Sequence, residues 1–259
     1  MLLYAVIILL WKDIQMLNSF SESYSQIDRL TAFYGDENGR LTLPYLAAES
    51  FVPFPQMRIQ FTPANKYMLK SAETAVNEGR YVFYEFSDEK PEDFMDIKGN
   101  SESACGIIGI IRQISVSDKH PATVIFDCFC RAEKKSNPYL KDGALFISVS
   151  PVKELDIARD NSKVSEALFD KLLSLYSNYI HSNGDFDEKI LKKAAEIDNM
   201  GMLCDFIAEN SFLPIDDKLD ILNELDIEKR ASLLCDILEA ELEMIRYQGE
   251  LNGKIQKNV

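Results

Sequence analysis

The sequence predicts an α+β fold, with a β-rich lobe first and an all-helical lobe after it, and three observations carry that prediction. Between residues 41 and 154, apolar residues alternate or gather in short β-branched and aromatic blocks bounded by turn residues. After Glu154 the apolar spacing changes to three and four, and no such block returns. The last helical run opens at Asp226 and outlasts its own apolar stripe, so it projects from its lobe. Strands in one run and helices in another indicate α+β, or two domains, rather than alternating βαβ units. The expected organisation is an extension over 1–40 and a β-rich lobe over 41–154, with a small, mostly antiparallel sheet or barrel and one helix. A helical bundle over 160–225 and a long connector helix over 226–259 follow.

The elements follow in order. Leu2 to Trp11 is apolar but about half the ~20 residues of a membrane span. It lacks the basic lead and small-residue cleavage site of a signal peptide. A buried or partner-covered helix, an upstream extension with translation starting near Met16, and a membrane anchor all remain open. Residues 12–40 are mixed and polar, with a turn at Asp36 to Gly39. Leu41 to Phe61 reads as two short strands around a proline-punctuated loop, because each proline removes a ladder donor. Pro63 to Gly79 reads as a helix stopped by glycine, and Arg80 to Phe86 as an aromatic strand. Ser87 to Ser103 is an acidic loop; Cys105 to Ile114, Ala122 to Arg131 and Gly143 to Val152 are strands, with a loop over Lys134 to Asp142. Ser162 to His181, Phe186 to Ile197 and Met200 to Glu209 have helical spacing, with Asp198 and Asn199 as candidate caps. Asp216 and Asp217 open a short helix through Leu225, and the run from Asp226 to Val259 would reach roughly 50 Å as one helix.

Charge and cysteine usage bound the function. A formal charge of −14 with scattered basic residues argues against nucleic acid and anionic membranes as partners. The five cysteines form no CxxC and lie mostly in apolar runs, as reduced core thiols of a cytoplasmic protein do. The sequence holds no GxxxxGK[ST] phosphate cradle, GxSxG elbow or HExxH pair. His120 and His181 read as surface residues. Cys128-x-Cys130 is a metal half-site by spacing, but no second pair accompanies it and core packing is the better reading. Asp88 to Asp96 lacks the spacing of a calcium loop. No catalytic, metal or cofactor residue is expected. What remains is the apolar segment Phe51 to Met57, which either closes the β-lobe or exposes a patch for unfolded or extended peptide, with Phe51, Phe54, Pro55 and Met57 as candidate contacts.

Several stretches together resemble one family, the substrate-recognising amino-terminal (LON) domain of Lon-type ATP-dependent proteases. LPYLAAESFVPFPQM (Leu43 to Met57) is similar to the family's LPLLPLRDVVVFPGM, with Pro44, Phe54, Pro55 and Met57 in register. CGIIGIIRQI (Cys105 to Ile114) resembles its GTVARI strand, and CFCRAE (Cys128 to Glu133) its G-x-x-RA turn. Leu213 to Ile245 resembles its helical signature, including R-x-x-x-L and L-x-x-E-L-E. The likeness covers roughly residues 41–259. Gln56 stands where the family has glycine, Ala47 to Ser50 where it has a basic residue, and the glycine before RA is lost at Cys128 or Phe129. The resemblance implies a module that captures unfolded or damaged polypeptide and self-associates as part of a ring. It also implies downstream ATPase and serine–lysine protease domains, with ATP and Mg²⁺ bound there and no catalytic residue here. A stand-alone LON-domain adaptor or ligand-binding protein is the alternative; a hidden peptidase is a weaker third reading.

Overall fold

Residues 20–49, 51–87, 104–117, 120–154, 157–158, 162–183 and 188–256 are described by a computed structural model. Leu2 to Trp11 and the acidic stretch Asp88 to Asp96 lie outside the described residues. Seven strands form one sheet in the order β2-β5-β4-β3-β1-β7-β6, and the far end of β5 also pairs with β7. Here β1 is Leu41–Ala48, β2 Arg58–Phe61, β3 Tyr81–Phe86, β4 Cys105–Ser117, β5 His120–Lys134, β6 Tyr139–Lys141 and β7 Ala144–Pro151. The second pairing, Ala132 to Lys134 against Val149 to Pro151, closes β5, β4, β3, β1 and β7 into a small barrel. β5 serves both ends of the barrel by bending, and its register against β4 skips at Phe129. Gly106 lets the barrel wall come close: a Cβ there would lie 2.4 Å from the Phe83 ring. Among the described strands only β1 and β3 run parallel, joined through helix α2 (Lys66–Asn77) as a parallel crossover requires.

Helix α2 starts where Asn65 accepts hydrogen bonds from the amides of Tyr67 and Met68 at 3.0 and 2.9 Å. It packs Met68, Ala72 and Ala75 into the barrel, and Ser71 exchanges hydrogen bonds with the backbone of Leu145 on β7. The Asp36–Gly39 turn is present: Asp36 accepts from the amides of Asn38 and Arg40, and Gly39 takes a positive φ. Two elements were not read from the sequence. Helix α1 (Phe20–Tyr34) places Ile27 and Leu30 in the core. Strand β6 forms within the expected Lys134–Asp142 loop, joined to β7 by Asp142-Gly143, both with positive φ, as a two-residue hairpin turn demands.

The helical part comprises α3 (Lys163–Asn183), α4 (Glu188–Glu196), α5 (Met200–Glu209), α6 (Ile215–Asn223) and α7 (Ile227–Gln256). Asn199 caps α5, and Asp226 caps α7 through the amides of Glu228 and Lys229. Helix α7 is continuous for 30 residues, about 45 Å. It buries Ala231, Leu234, Cys235 and Leu238 against its neighbours, half-buries Leu242 and Ile245, and is exposed from Arg246 to Glu250. The stripe ends before the helix does.

Candidate functional site

The Phe51–Met57 segment is shaped by its prolines and by one tight turn. Met57 N–H donates to the Phe54 carbonyl, with Pro55 second and Gln56 third in the turn. Gln56 has φ of 69°, so the proline and the positive φ fall where a type II turn requires them. Gln56 N–H donates to the Cys128 carbonyl at 2.9 Å and Cys128 N–H to the Met57 carbonyl at 2.8 Å, which locks this turn to β5. Phe54 is only 1% exposed, and its amide donates to Met57 Sδ at 3.1 Å. Its ring therefore belongs to the core, so of the two readings open for the segment Phe54 follows the one that closes the β-lobe and is not a surface contact. Val52 and Pro53 are buried with it. Phe51, Pro55 and Met57 are half-buried and form the rim. Phe51 stacks on Tyr84 at 5.6 Å, and Tyr84 in turn packs against Phe61 and Phe126.

A second feature joins the barrel to the helices. Arg131, on β5, has a side chain with no exposure and grips Asp205 of α5 through two bonds of 2.8 and 2.6 Å. Its Nη1 also donates to Glu154 at 3.0 Å, and its Nε to the Leu222 carbonyl at the end of α6. Arg230, in the first turn of α7, is equally buried; it donates to Glu154 at 2.6 Å and to the Glu224 carbonyl at 2.8 Å. Its Nη1, 3.7 Å from Asp205, makes no hydrogen bond among the described residues. Two guanidiniums and two carboxylates thus balance at the junction. Burial pushes the Glu154 carboxyl up, but Arg131 and Arg230 outweigh it and hold Glu154 below the ordinary 4.5.

A family profile described as "ATP-dependent protease La (LON) substrate-binding domain" matches residues 42–240. The chain belongs to the LON substrate-binding domain family. It is 27% identical over 217 residues to a Lon protease of Syntrophomonas wolfei, covering 84% of this chain and 26% of that one. Lon protease 2 of Borreliella burgdorferi is 25% identical over 231 residues, covering 85% and 27%. The chain therefore spans about a quarter of the length of the curated relatives it matches. In fold it is similar to the N-terminal domain of Mycobacterium avium complex Lon protease, with a TM-score of 0.60, 17% identity and 76% and 98% of the two chains covered. A Lon N-terminal domain protein from Xanthomonas campestris gives 0.52 at 15% identity, covering 74% and 96%.

Within the LON domain the two buried arginines acquire a meaning that sequence reading missed. Arg131 is the arginine of the quoted RA turn, and Arg230 opens the quoted R-x-x-x-L. Two of the stretches that carried the resemblance meet on one carboxylate, Glu154. Nearby, at the seam between barrel and helices, Glu209 of α5 is half-buried. Burial and Asp205 push its carboxyl up to about 7, with Lys218 and Lys193 acting the other way. Cys128 of β5 and Tyr176 of α3 share this seam, and the Tyr176 hydroxyl is buried with no hydrogen-bond partner among the described residues. All five cysteines are buried and stand outside any disulfide, and burial raises the Cys128 and Cys130 thiols. Among the described residues, no group of three His, Cys, Asp or Glu is placed to hold a metal, and no helix is long and apolar enough to cross a membrane.

Proposed function

We propose that this LON domain is the substrate-recognition and assembly region of an ATP-dependent Lon-type serine protease. It binds unfolded or damaged polypeptide through the rim formed by Phe51, Pro55 and Met57 and delivers it to ATPase and protease domains outside these residues, where ATP and Mg²⁺ would act. The observation that carries the reading is the family match over both lobes, since the matched domain is described by substrate binding. Partly exposed apolar side chains beside a pinned turn support a shallow peptide contact. The exposed end of α7 supports a role in carrying the module on a larger ring. Five buried cysteines outside any disulfide support a reducing, cytoplasmic setting.

The test is titration of a fluorescent, permanently unfolded protein into the purified chain and its Phe51→Asp and Met57→Asp variants. Both positions are half-buried, so each variant is first shown to keep its thermal midpoint within a few degrees. Binding roughly tenfold weaker is expected, because a rim contact is worth about 1–2 kcal/mol. Unchanged binding in folded variants would remove the rim from the reading. Phe54→Asp is not a usable probe, since it places a charge in the core.

A further inference from the structure

An open cleft of about 530 Å³ lies between α2 and the middle of β4. Val76 and Ile114 give it a partly apolar floor, and Asn77 and Gln113 add amides that can meet a peptide backbone. Its walls carry Lys70, Arg80 and Arg112 against one carboxylate, Glu73, which sits 3.7 Å from Lys70. Arg80 has φ of 73°, and its Nη1 lies 3.3 Å from the Ile111 carbonyl and 3.5 Å from that of Arg112, so it is held across β4. Arg112 binds Asp127 of β5 at 2.6 Å, and Arg58 of β2 binds the other oxygen of the same carboxylate at 2.6 Å. Two guanidiniums share one anion, which leaves the row with an excess of cation. The row crosses β4, β5 and β2 in spatial order and ends beside Met57, roughly 10 Å from the cleft at two strand spacings.

This cluster runs against the charge of the whole molecule, −14. A long anion is repelled over most of such a surface and drawn to a place where cations collect. A nucleic acid needs many phosphate contacts and suffers that repulsion along its length, whereas a short acidic stretch of peptide does not. We propose that the α2–β4 cleft binds an acidic, extended stretch of the same polypeptide whose apolar stretch lies on the Phe51–Met57 rim. The proposal rests on the substrate-binding reading and adds a substrate class: apolar segments flanked by Asp and Glu. Three or four extended residues bridge the distance from rim to cleft, at about 3.4 Å each.

The experiment is fluorescence anisotropy on the full chain with three labelled peptides of about 16 residues, long enough to cover rim and cleft. They share one Phe/Leu/Val core and carry Asp/Glu, Ser/Gly or Lys/Arg flanks. The acidic probe is expected to bind roughly tenfold tighter than the neutral one at low salt, with the gap closing as salt rises. In the Lys70→Glu/Arg80→Glu chain the gap vanishes while neutral-probe affinity and thermal midpoint stay the same. Equal affinity for acidic and neutral probes, or a gap that survives the double reversal, overturns the proposal. Displacement of the acidic probe by inorganic polyphosphate at equal charge also overturns it, making the cleft a general polyanion site. If the neutral probe fails to bind at all, the rim reading falls, and the cleft stands or falls on the acidic probe alone.

Discussion

Arginine serves two opposite purposes in this domain, and burial separates them. At the junction of barrel and helices, Arg131 and Arg230 have no exposed side-chain surface and face two carboxylates, so the group is neutral and closed. At the α2–β4 cleft, Arg80 and Arg112 stand in solvent with Lys70, and cations outnumber the carboxylates near them. A buried guanidinium without a matched anion would unfold the domain; an exposed one costs almost nothing and remains available to a ligand. The same residue type therefore fixes architecture in one place and selects partners in the other.

The largest effect is expected at the junction. Arg131→Met leaves Glu154 and Asp205 sharing one cation in a largely buried site and should lower unfolding free energy by about 3–5 kcal/mol in urea titration. Adding Asp205→Leu should restore much of that loss; a double variant no more stable than the single one would show that packing, not charge balance, matters there. The junction also sets the acid limb. Because Glu154 is held below 4.5 in the folded state, its stabilisation is present above that value and disappears as pH falls through the lower folded value.

Glu209 has the reverse sign. Its folded value near 7 lies above the ordinary 4.5, so the folded state holds a proton that the unfolded state has released. Stability should fall as pH rises from about 4.5 to 7, by about 1–3 kcal/mol, and Glu209→Gln should flatten that slope in thermal midpoints measured across the window. Burial sets it first, then Asp205 on the same helix, with Lys218 and Lys193 on the flanking helices acting the other way.

At the rim the effect is smaller and positive. Gln56 holds a left-handed backbone at the place where the family has glycine, and Gln56→Gly should gain about 1 kcal/mol by removing that strain. A loss instead would mean that the Gln56 side chain makes contacts in solution worth more than the strain. Smallest of all is the cleft, where Lys70→Glu/Arg80→Glu should move unfolding free energy by no more than about 0.5 kcal/mol. A large change there would erase the contrast with the junction.

Much of the fold was legible because period and turn chemistry are local. The clean alternation of Met57 to Phe61 and the caps of α5 and α7 are written in neighbouring residues. The place of Phe54 stayed open because a proline-rich apolar segment looks the same in sequence whether its rings point into or out of the barrel. β6 was missed as a short exposed edge, although Asp142-Gly143 is the standard signal of such a hairpin. The junction could not be found by spacing, since positions 131, 154, 205 and 230 meet only after both lobes have folded. It was nevertheless present in the two quoted arginine stretches, read there as likeness and not as contact. The cleft escaped for the same reason, as positions 70, 80 and 112 look like scattered charge until α2 is laid along β4.

Arg230 sits one residue past the first turn contacts of a rod about 45 Å long. Its guanidinium is bound to Glu154, where the chain leaves the barrel, and to the carbonyl of Glu224. The root of the rod is therefore welded to both halves of the domain and has no hinge of its own. A twist or pull applied near Gln256 is delivered at full stiffness to the barrel, and the rim and cleft swing through space as one piece, like a tool head on a shaft.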